Sequence, residues 1–245
     1  MWIVPGLIGA GLAKTGYAHS TLLLAAIFLL FWARDPVWLW ARSRTRRFPT
    51  RAWPSTVVAA LAGIGIAVGV ATDEGRWGLF GFGAPVAIIM AVYLRALIAG
   101  HERALATEFL GIAGLGLAGP ATYYSATGSL DEQALLAWLL PTLFFGTSVF
   151  AVKLRVEGYS RVKSGSSPRP LMAVLAGYQV AALLLVGVLG VLDLVALSAL
   201  VAYVPVTVQG AWTARNLKTS PRIKRLGLLW VAHSVLFTVL VLTLV

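Results

Sequence analysis

Nine stretches of apolar residues follow one another along the chain, each bounded by charged or polar residues. Most are about 20 residues long, which is the length that an α-helix needs to cross a hydrocarbon core about 30 Å thick. The pattern therefore predicts nine transmembrane helices, with these bounds: Trp2–Ala18, Thr21–Trp40, Trp53–Thr72, Gly78–Ala99, Leu105–Ala126, Ala134–Val152, Leu171–Val191, Leu194–Ala214 and Leu226–Val245.

The seventh and eighth predicted spans lie within one long apolar region. Leu171 to Thr213 comprises 43 residues. At about 1.5 Å per residue a single helix of that length would measure about 64 Å, roughly twice the hydrocarbon core. We therefore predict two spans joined by a tight turn near Asp193.

The first predicted span is short. Its apolar part, Trp2 to Ala13, has only 12 residues, and Lys14 interrupts the continuation to Ala18. No positively charged segment precedes it, so the pattern is not that of a secretory signal peptide. We expect a true transmembrane helix whose natural beginning is missing from this chain.

Composition agrees with this interpretation. Of the 245 residues, 59% are hydrophobic and 12% are charged, and the mean hydropathy is +0.84. These values exclude a soluble globular domain, and the absence of cysteine excludes a disulfide-rich scaffold. The connections between spans are too short to fold separately. The sequence thus predicts an all-α, polytopic transmembrane helix bundle that forms a single domain over residues 1–245.

The basic residues predict the orientation. The connections after spans two, four, six and eight carry 18 of the 20 Lys and Arg residues, and only Lys14 and Arg76 lie on the opposite side. Because basic connections stay in the cytoplasm, we expect a cytoplasmic N-terminus and an external C-terminus in a bacterial inner (plasma) membrane. The same asymmetry explains the net charge of +11 through anionic lipid headgroups, so we expect membrane lipids and no nucleic acid as partners.

Charged residues near the cytoplasmic ends of the predicted spans are candidates for a ligand site. We predict that His101, Glu102 and Glu108 act as catalytic or proton-binding groups, since ionisable residues at membrane depth often mark a site. We predict that the other charged residues form a mouth for an anionic group such as phosphate: Arg34, Asp35, Arg103, Lys153, Arg155 and Glu157. The open alternatives are interfacial ion pairs and ordinary positive-inside anchoring, and Lys153 and Glu157 have the i,i+4 spacing of such a pair.

Deeper polar residues add candidates for a cavity wall. Tyr123 follows Pro120, which is expected to kink span five, and Gln179 lies within span seven. We include both among the predicted substrate-binding residues, although a lone Gln in a membrane often bonds a neighbouring helix instead. Nucleotide-binding and hydrolase motifs are missing from the sequence, and the histidines at 19, 101 and 233 are scattered, so we expect no metal site.

Several segments together resemble the YwiC-like family of bacterial membrane proteins. The resemblance rests on Trp2–Gly9 (WIVPGLIG), on Glu102-Arg103 with Glu108, on Gly119–Tyr123 (GPATY) and on Ser148–Lys153 (SVFAVK). In that family a stretch of Arg or Lys, Glu or Gln, His, Gly, Ala and Trp precedes the first proline-containing helix. This chain begins after it, so we expect the histidine of that stretch to be absent. The resemblance implies a multi-pass membrane protein without naming a reaction.

The predicted architecture is also similar to that of UbiA-type intramembrane prenyltransferases. They have nine helices, a cytoplasmic N-terminus and cytoplasmic connections after spans two, four, six and eight. The likeness implies a transferase acting on a prenyl diphosphate held by Mg²⁺ on Asp-rich motifs. This chain has only Asp35 after span two and only Glu157 after span six, so no such motif supports Mg²⁺ here, and the cofactor is left open.

Three functions are compatible with the sequence. The first is a UbiA-like pocket whose cytoplasmic mouth handles an isoprenoid or another anionic lipid. The second is a small-solute or ion transporter built from proline-broken helices around Glu108 and Gln179. The third is a non-catalytic membrane partner of a larger complex.

Overall fold

The computed structural model of the protein describes residues 3–42, 53–73, 75–99, 105–220 and 223–245. Within these ranges the backbone is helical or lies in turns, and it contains no strand. The helices are α1 (Ile3–Ala13), α2 (Tyr17–Arg42), α3 (Trp53–Asp73), α4 (Leu79–Ile98), α5 (Leu105–Gly116), α6 (Ala118–Thr127), α7 (Glu132–Lys163), α8 (Arg169–Val191), a 3₁₀ helix (Leu197–Tyr203), α9 (Val204–Arg215) and α10 (Ile223–Leu244). The all-α helical bundle is confirmed.

Six helical segments of the described chain are long and apolar enough to cross a membrane. They are Trp53–Asp73, Leu79–Ala96, Glu132–Lys163, Arg169–Val191, Leu197–Arg215 and Lys224–Leu244. Two further apolar helices, Ile3–Ala13 and Tyr17–Ala33, are shorter. The predicted turn near Asp193 is also present, because α8 ends at Val191 and Asp193 takes a φ of 56°.

The first helix is shorter than predicted. We expected span one to continue to Ala18, but α1 ends at Ala13 and α2 already begins at Tyr17. The chain reverses between them through left-handed backbone at Lys14 (φ 55°) and Gly16 (φ 59°). Glycine adopts this conformation without steric cost, so the turn uses Gly16 where the backbone passes close to Ala126.

Span five consists of two helices instead of one. α5 ends at Gly116, α6 begins at Ala118, and Leu117 lies between them. Pro120 explains the position of the break. It has no N–H to donate to the carbonyl of Gly116, four residues earlier, so the hydrogen-bond ladder is interrupted there.

The described chain divides into two compact units, which we call the N-terminal unit (Met1–Trp138) and the C-terminal unit (Leu139–Val245). Each has its own packing and is described by itself. The single domain expected from the sequence stays a prediction.

In the N-terminal unit, α1 packs against α6 through glycine. A Cβ on Gly9 would lie 2.1 Å from the carbonyl oxygen of Gly119. The two backbones are therefore so close that only glycine fits at position 9. Beside this contact the buried hydroxyl of Thr122 donates to the carbonyl of Gly6 at 3.0 Å. The hydroxyl of Ser20 on α2 donates in turn to the carbonyl of Thr122 at 3.1 Å. Small residues and hydroxyl bonds of this kind hold helices together in lipid.

The first turns of α7 also contact Gly119. A Cβ on Gly119 would lie 2.1 Å from the carbonyl oxygen of Ala137. Pro141, four residues after Ala137, has no N–H, and the carbonyl of Ala137 therefore lacks its helical donor. Glycine lets the backbone of α6 cover this carbonyl directly.

In the C-terminal unit, aromatic side chains join α7, α10 and the 3₁₀ helix. Phe144 stacks on Phe237 with ring centroids 4.2 Å apart, and Tyr203 meets the ring of Phe237 edge-on at 5.4 Å. Tyr203 is 1% exposed, and its hydroxyl donates to the carbonyl of Leu140 at 2.8 Å. Burial of a tyrosine at membrane depth therefore comes with a satisfied hydroxyl.

Asp131 organises the turn between α6 and α7. Its carboxylate accepts hydrogen bonds from the hydroxyl of Tyr123 at 2.8 Å and from the backbone N–H groups of Gln133 and Ala134 at 3.0 and 3.3 Å. These last two bonds are those of a helix N-cap. Desolvation acts to raise the pKa of Asp131, but the hydrogen bonds from Tyr123, Ala134, Ser129 and Gln133 outweigh it and lower the pKa below its ordinary value of 3.8.

We expect Gly119→Ala to destabilise the N-terminal unit by about 1–3 kcal/mol, because its methyl group would overlap a backbone carbonyl that cannot move aside. The matched control is Gly65→Ala in α3, where a Cβ meets nothing within 4 Å and alanine favours the helix. Unfolding with sodium dodecyl sulfate in mixed micelles measures both. Equal midpoints for the two variants would contradict the packing described here.

The capped turn should open in acid. Because the pKa of folded Asp131 lies below the ordinary value, its stabilising bonds persist as pH falls to about 3.8 and disappear as pH falls through the lowered pKa. Corrected for intrinsic exchange rates, hydrogen exchange should show the amides of Gln133 and Ala134 protected at about pH 5 and progressively less protected as the pH falls through the lowered pKa. Asp131→Asn should make this protection independent of pH in that interval. A midpoint of this loss at or above pH 3.8 in the wild type would argue against the assignment.

Candidate functional site

The C-terminal unit is strongly basic at both of its charged segments. Residues 139–245 contain ten Lys and Arg but only two acidic residues, Glu157 and Asp193. All ten basic residues lie in 153–169, which contains the end of α7, or in 215–225, between α9 and α10. They are Lys153, Arg155, Arg161, Lys163, Arg169, Arg215, Lys218, Arg222, Lys224 and Arg225.

The structure brings these two segments together through Arg155. From α7 its guanidinium donates to the carbonyl of Asn216, the C-cap residue of α9. A second N–H group donates to the hydroxyl of Thr219 at 2.8 Å. The two basic segments, more than 60 residues apart in sequence at this contact, therefore meet at one end of the C-terminal unit. We call this end, with Arg155, Trp212, Asn216 and Thr219 at its centre, the basic end.

Arg155 is buried among neutral partners. Its residue is 6% exposed, and the guanidinium carbon lies 5.6 Å from the ring centroid of Trp212. Neither Glu157 nor Asp193, the two acidic residues of this unit, forms an ion pair with it in the described structure. Its charge is stabilised by a carbonyl at the negative end of α9, by a hydroxyl and by an aromatic face.

An apolar cluster holds the part of α7 that carries Arg155. Leu154, next to Arg155, is fully buried and packs with Phe150, Leu175 and Leu217. Gly158 leaves room for this packing, since a Cβ there would lie 3.2 Å from the side chain of Leu217. The connection after α9 is thus fixed on the end of α7, and the orientation of Arg155 is fixed with it.

Lys153 and Glu157 form the predicted ion pair. Their charged atoms are 3.8 Å apart on one face of α7, and the side chain of Glu157 is 41% exposed. Arg155, two residues from each, lies on a different face of the helix. Lys153, Arg155 and Glu157 are the residues of α7 that we predicted at the mouth of a ligand site. In the structure Lys153 pairs with Glu157, whereas Arg155 contacts Asn216 and Thr219.

Gln179 holds two helices together. It is 9% exposed, and its amide nitrogen lies 3.4 Å from the carbonyl oxygen of Val206 on α9. Gly210 makes space for it, because a Cβ there would lie 2.3 Å from the same nitrogen. This is the interhelical role that the sequence left open as an alternative.

Glu108 and Tyr123 belong to the N-terminal unit. Glu108 lies half-buried in the first turn of α5, and Tyr123 is buried with its hydroxyl on Asp131. His101, Glu102 and Arg103 lie outside the described residues, as do the side chains of Arg34 and Asp35 within α2. Among the residues that the structure does describe, no three His, Asp or Glu side chains form a group able to hold a metal ion.

Sequence reasoning missed Trp212, Asn216 and Thr219 as partners of Arg155. Trp212 has the pattern of an interfacial aromatic residue, and Asn216 and Thr219 follow the end of an apolar span. The available signal was weak: a buried arginine near one helix end favours the free carbonyls at the end of another helix.

Comparison with known proteins places the chain in a family. No curated protein and no solved structure matches it. A family model described as YwiC-like protein matches residues 1–123, which is half of the 245 residues and extends from α1 to Tyr123 in α6. The YwiC-like resemblance noted in the sequence is confirmed over residues 1–123, and the chain belongs to the YwiC-like family.

Proposed function

We propose that this multi-pass membrane protein binds an isoprenoid or another anionic lipid through a phosphate group at the basic end of its C-terminal unit. The observation that carries the proposal is Arg155: a buried guanidinium whose partners in the described structure are all neutral. Ordinary positive-inside anchoring accounts for exposed basic residues. It gives no reason to bury one.

The chemistry of the guanidinium favours phosphate. Arginine has five N–H donors in a planar fork, and the carbonyl of Asn216 and the hydroxyl of Thr219 each accept from one terminal nitrogen. These bonds and the ring of Trp212 fix the plane of the fork before a ligand arrives. A pre-oriented fork binds the oxygens of phosphate in pairs and loses little side-chain entropy on binding.

The surrounding charge supports the same ligand. Ten basic residues and a single acidic residue, Glu157, lie in the two segments that meet at the basic end. Each Lys or Arg near a membrane surface contributes about 1 kcal/mol to attraction of anionic lipid. The field therefore concentrates anionic headgroups where Arg155 is buried.

We further propose the finer assignments that the sequence suggested. The likeness to UbiA-type prenyltransferases is the reason to include a prenyl diphosphate among the candidate ligands, with Lys153 and Glu157 at the rim of its site. Within the N-terminal unit, His101, Glu102 and Glu108 stay our candidates for acid–base groups, and Arg34, Asp35, Arg103 and Tyr123 our candidate ligand contacts. Gln179 is a further candidate contact of the C-terminal unit. The basic end then faces the cytoplasm of a bacterial cell, with an internal N-terminus and an external C-terminus.

Native mass spectrometry of the detergent-solubilised protein, with lipid extraction from the same sample, tests the proposal. We expect the wild type to retain a stoichiometric phosphate-bearing lipid and Arg155→Gln to bind it at least tenfold more weakly, since hydrogen bonds to charged groups contribute about 1.5–3 kcal/mol. Arg155→Lys should retain an intermediate amount, because it keeps the charge and loses the fork.

The matched control is Arg161→Gln, which removes an exposed arginine from the same helix. It should bind lipid as the wild type does. Circular dichroism checks that all variants keep their helical content. Equal loss of bound lipid in Arg155→Gln and Arg161→Gln would show that general surface charge, and not a site at Arg155, holds the lipid. A wild type without bound anionic lipid would also overturn the proposal.

A further inference from the structure

Two polar rings lie close together in the interior of α10. His233 is the eleventh of the 22 residues of this helix, and Trp230 precedes it by about one turn. Their ring centroids are 5.6 Å apart, and the planes are inclined by 58°. Since α10 is one of the membrane-crossing candidates, His233 lies near the middle of the span.

Both rings present a buried nitrogen that has no hydrogen-bond partner in the described part of the protein. These atoms are Nε1 of Trp230 and Nδ1 of His233. Buried indole and imidazole nitrogens normally find a partner, and no bulk water is available at membrane depth to replace it. Two nitrogens without hydrogen-bond partners therefore lie about one helical turn apart in α10.

The other polar side chains of α10 behave differently. Ser234, Thr238 and Thr243 each donate to a carbonyl one turn earlier in the helix, at 2.8–2.9 Å. Another partly buried indole, that of Trp138 in the N-terminal unit, donates to the carbonyl of Ala113 at 2.9 Å. Trp230 and His233 are therefore exceptions to how this chain treats polar groups in its spans.

Trp230 is also held in place. It packs against the apolar cluster of Phe150, Leu154 and Leu175. A ring fixed in this way presents its N–H in one direction, so a ligand does not have to order it.

We propose that Trp230 and His233 bind a carbonyl oxygen of a lipid-soluble molecule. The indole N–H is a donor only, and the imidazole nitrogen donates when it carries the proton. A carbonyl oxygen accepts two hydrogen bonds and carries no charge, so it enters the membrane interior at lower cost than a phosphate. Two sources supply this chemistry: the ring carbonyl of a quinone and the ester carbonyl of a membrane lipid. The proposal is independent of phosphate binding at Arg155.

Nuclear magnetic resonance of the protein with ¹⁵N-labelled indole and imidazole in nanodiscs tests it. Diether phospholipid discs contain no carbonyl and give the reference spectrum. Menadione, a quinone without a reactive partner in this cysteine-free chain, is then added to the diether discs; a third sample uses diester phospholipid. Trp230→Phe assigns the signal of interest, and Trp138→Phe assigns the internal control.

We expect the indole proton of Trp230 to move downfield with menadione or in diester discs, while the signal of Trp138 stays unchanged. A shift with menadione alone assigns the site to quinones, and a shift in diester discs alone assigns it to lipid esters. His233→Leu should weaken the response of the Trp230 signal about threefold to tenfold in affinity, and Trp230→Phe should weaken the response of the His233 imidazole signal by a similar factor.

Either of two results overturns the proposal. The Trp230 signal could be unchanged in all three samples, or it could already be at the hydrogen-bonded position in the carbonyl-free discs, where protein or trapped water would be its partner. An Arg155→Gln sample separates the two sites: it should lose the anionic lipid and keep the Trp230 response.

Discussion

In a membrane a backbone carbonyl without a hydrogen-bond donor is costly, and helices associate through close packing because excluding water contributes nothing. Both constraints act at Gly119. Its carbonyl faces Gly9 on α1, while its Cα covers the carbonyl of Ala137 that Pro141 leaves without a helical donor. The approach of α1, α6 and the start of α7 therefore depends on two residues that have no side chain.

Hydroxyl groups extend the same solution through the chain. Thr122 satisfies carbonyls on its own helix and on α1, and Tyr203 satisfies the carbonyl of Leu140, the residue before Pro141. Arg155 does the same for the end of α9 with a charged donor. Trp230 and His233 differ from these groups, because one buried nitrogen of each ring has no hydrogen-bond partner in the described structure. A buried polar atom without a partner lowers the stability of the folded state unless a ligand or water binds it.

Features with a local cause could be predicted from the sequence. Hydropathy located the long spans, a length limit placed the turn at Asp193, and i,i+4 spacing predicted the pair of Lys153 and Glu157. Features that depend on distant partners could not. Asn216 lies 61 residues after Arg155 and Asp73 lies 54 after His19, and only helix packing brings either pair within bonding distance.

The two sites proposed in the C-terminal unit differ in charge and in position along the helices. Arg155 presents a charged fork at the helix ends, where the phosphate that we propose as its ligand would keep part of its hydration. Trp230 and His233 present neutral nitrogens further along α10, where only an uncharged oxygen can lose its water cheaply. Trp230 packs against the apolar cluster that contains Leu154, the residue before Arg155. Both sites lie beyond the residues that the family model matches, and their function therefore has to follow from these side chains themselves.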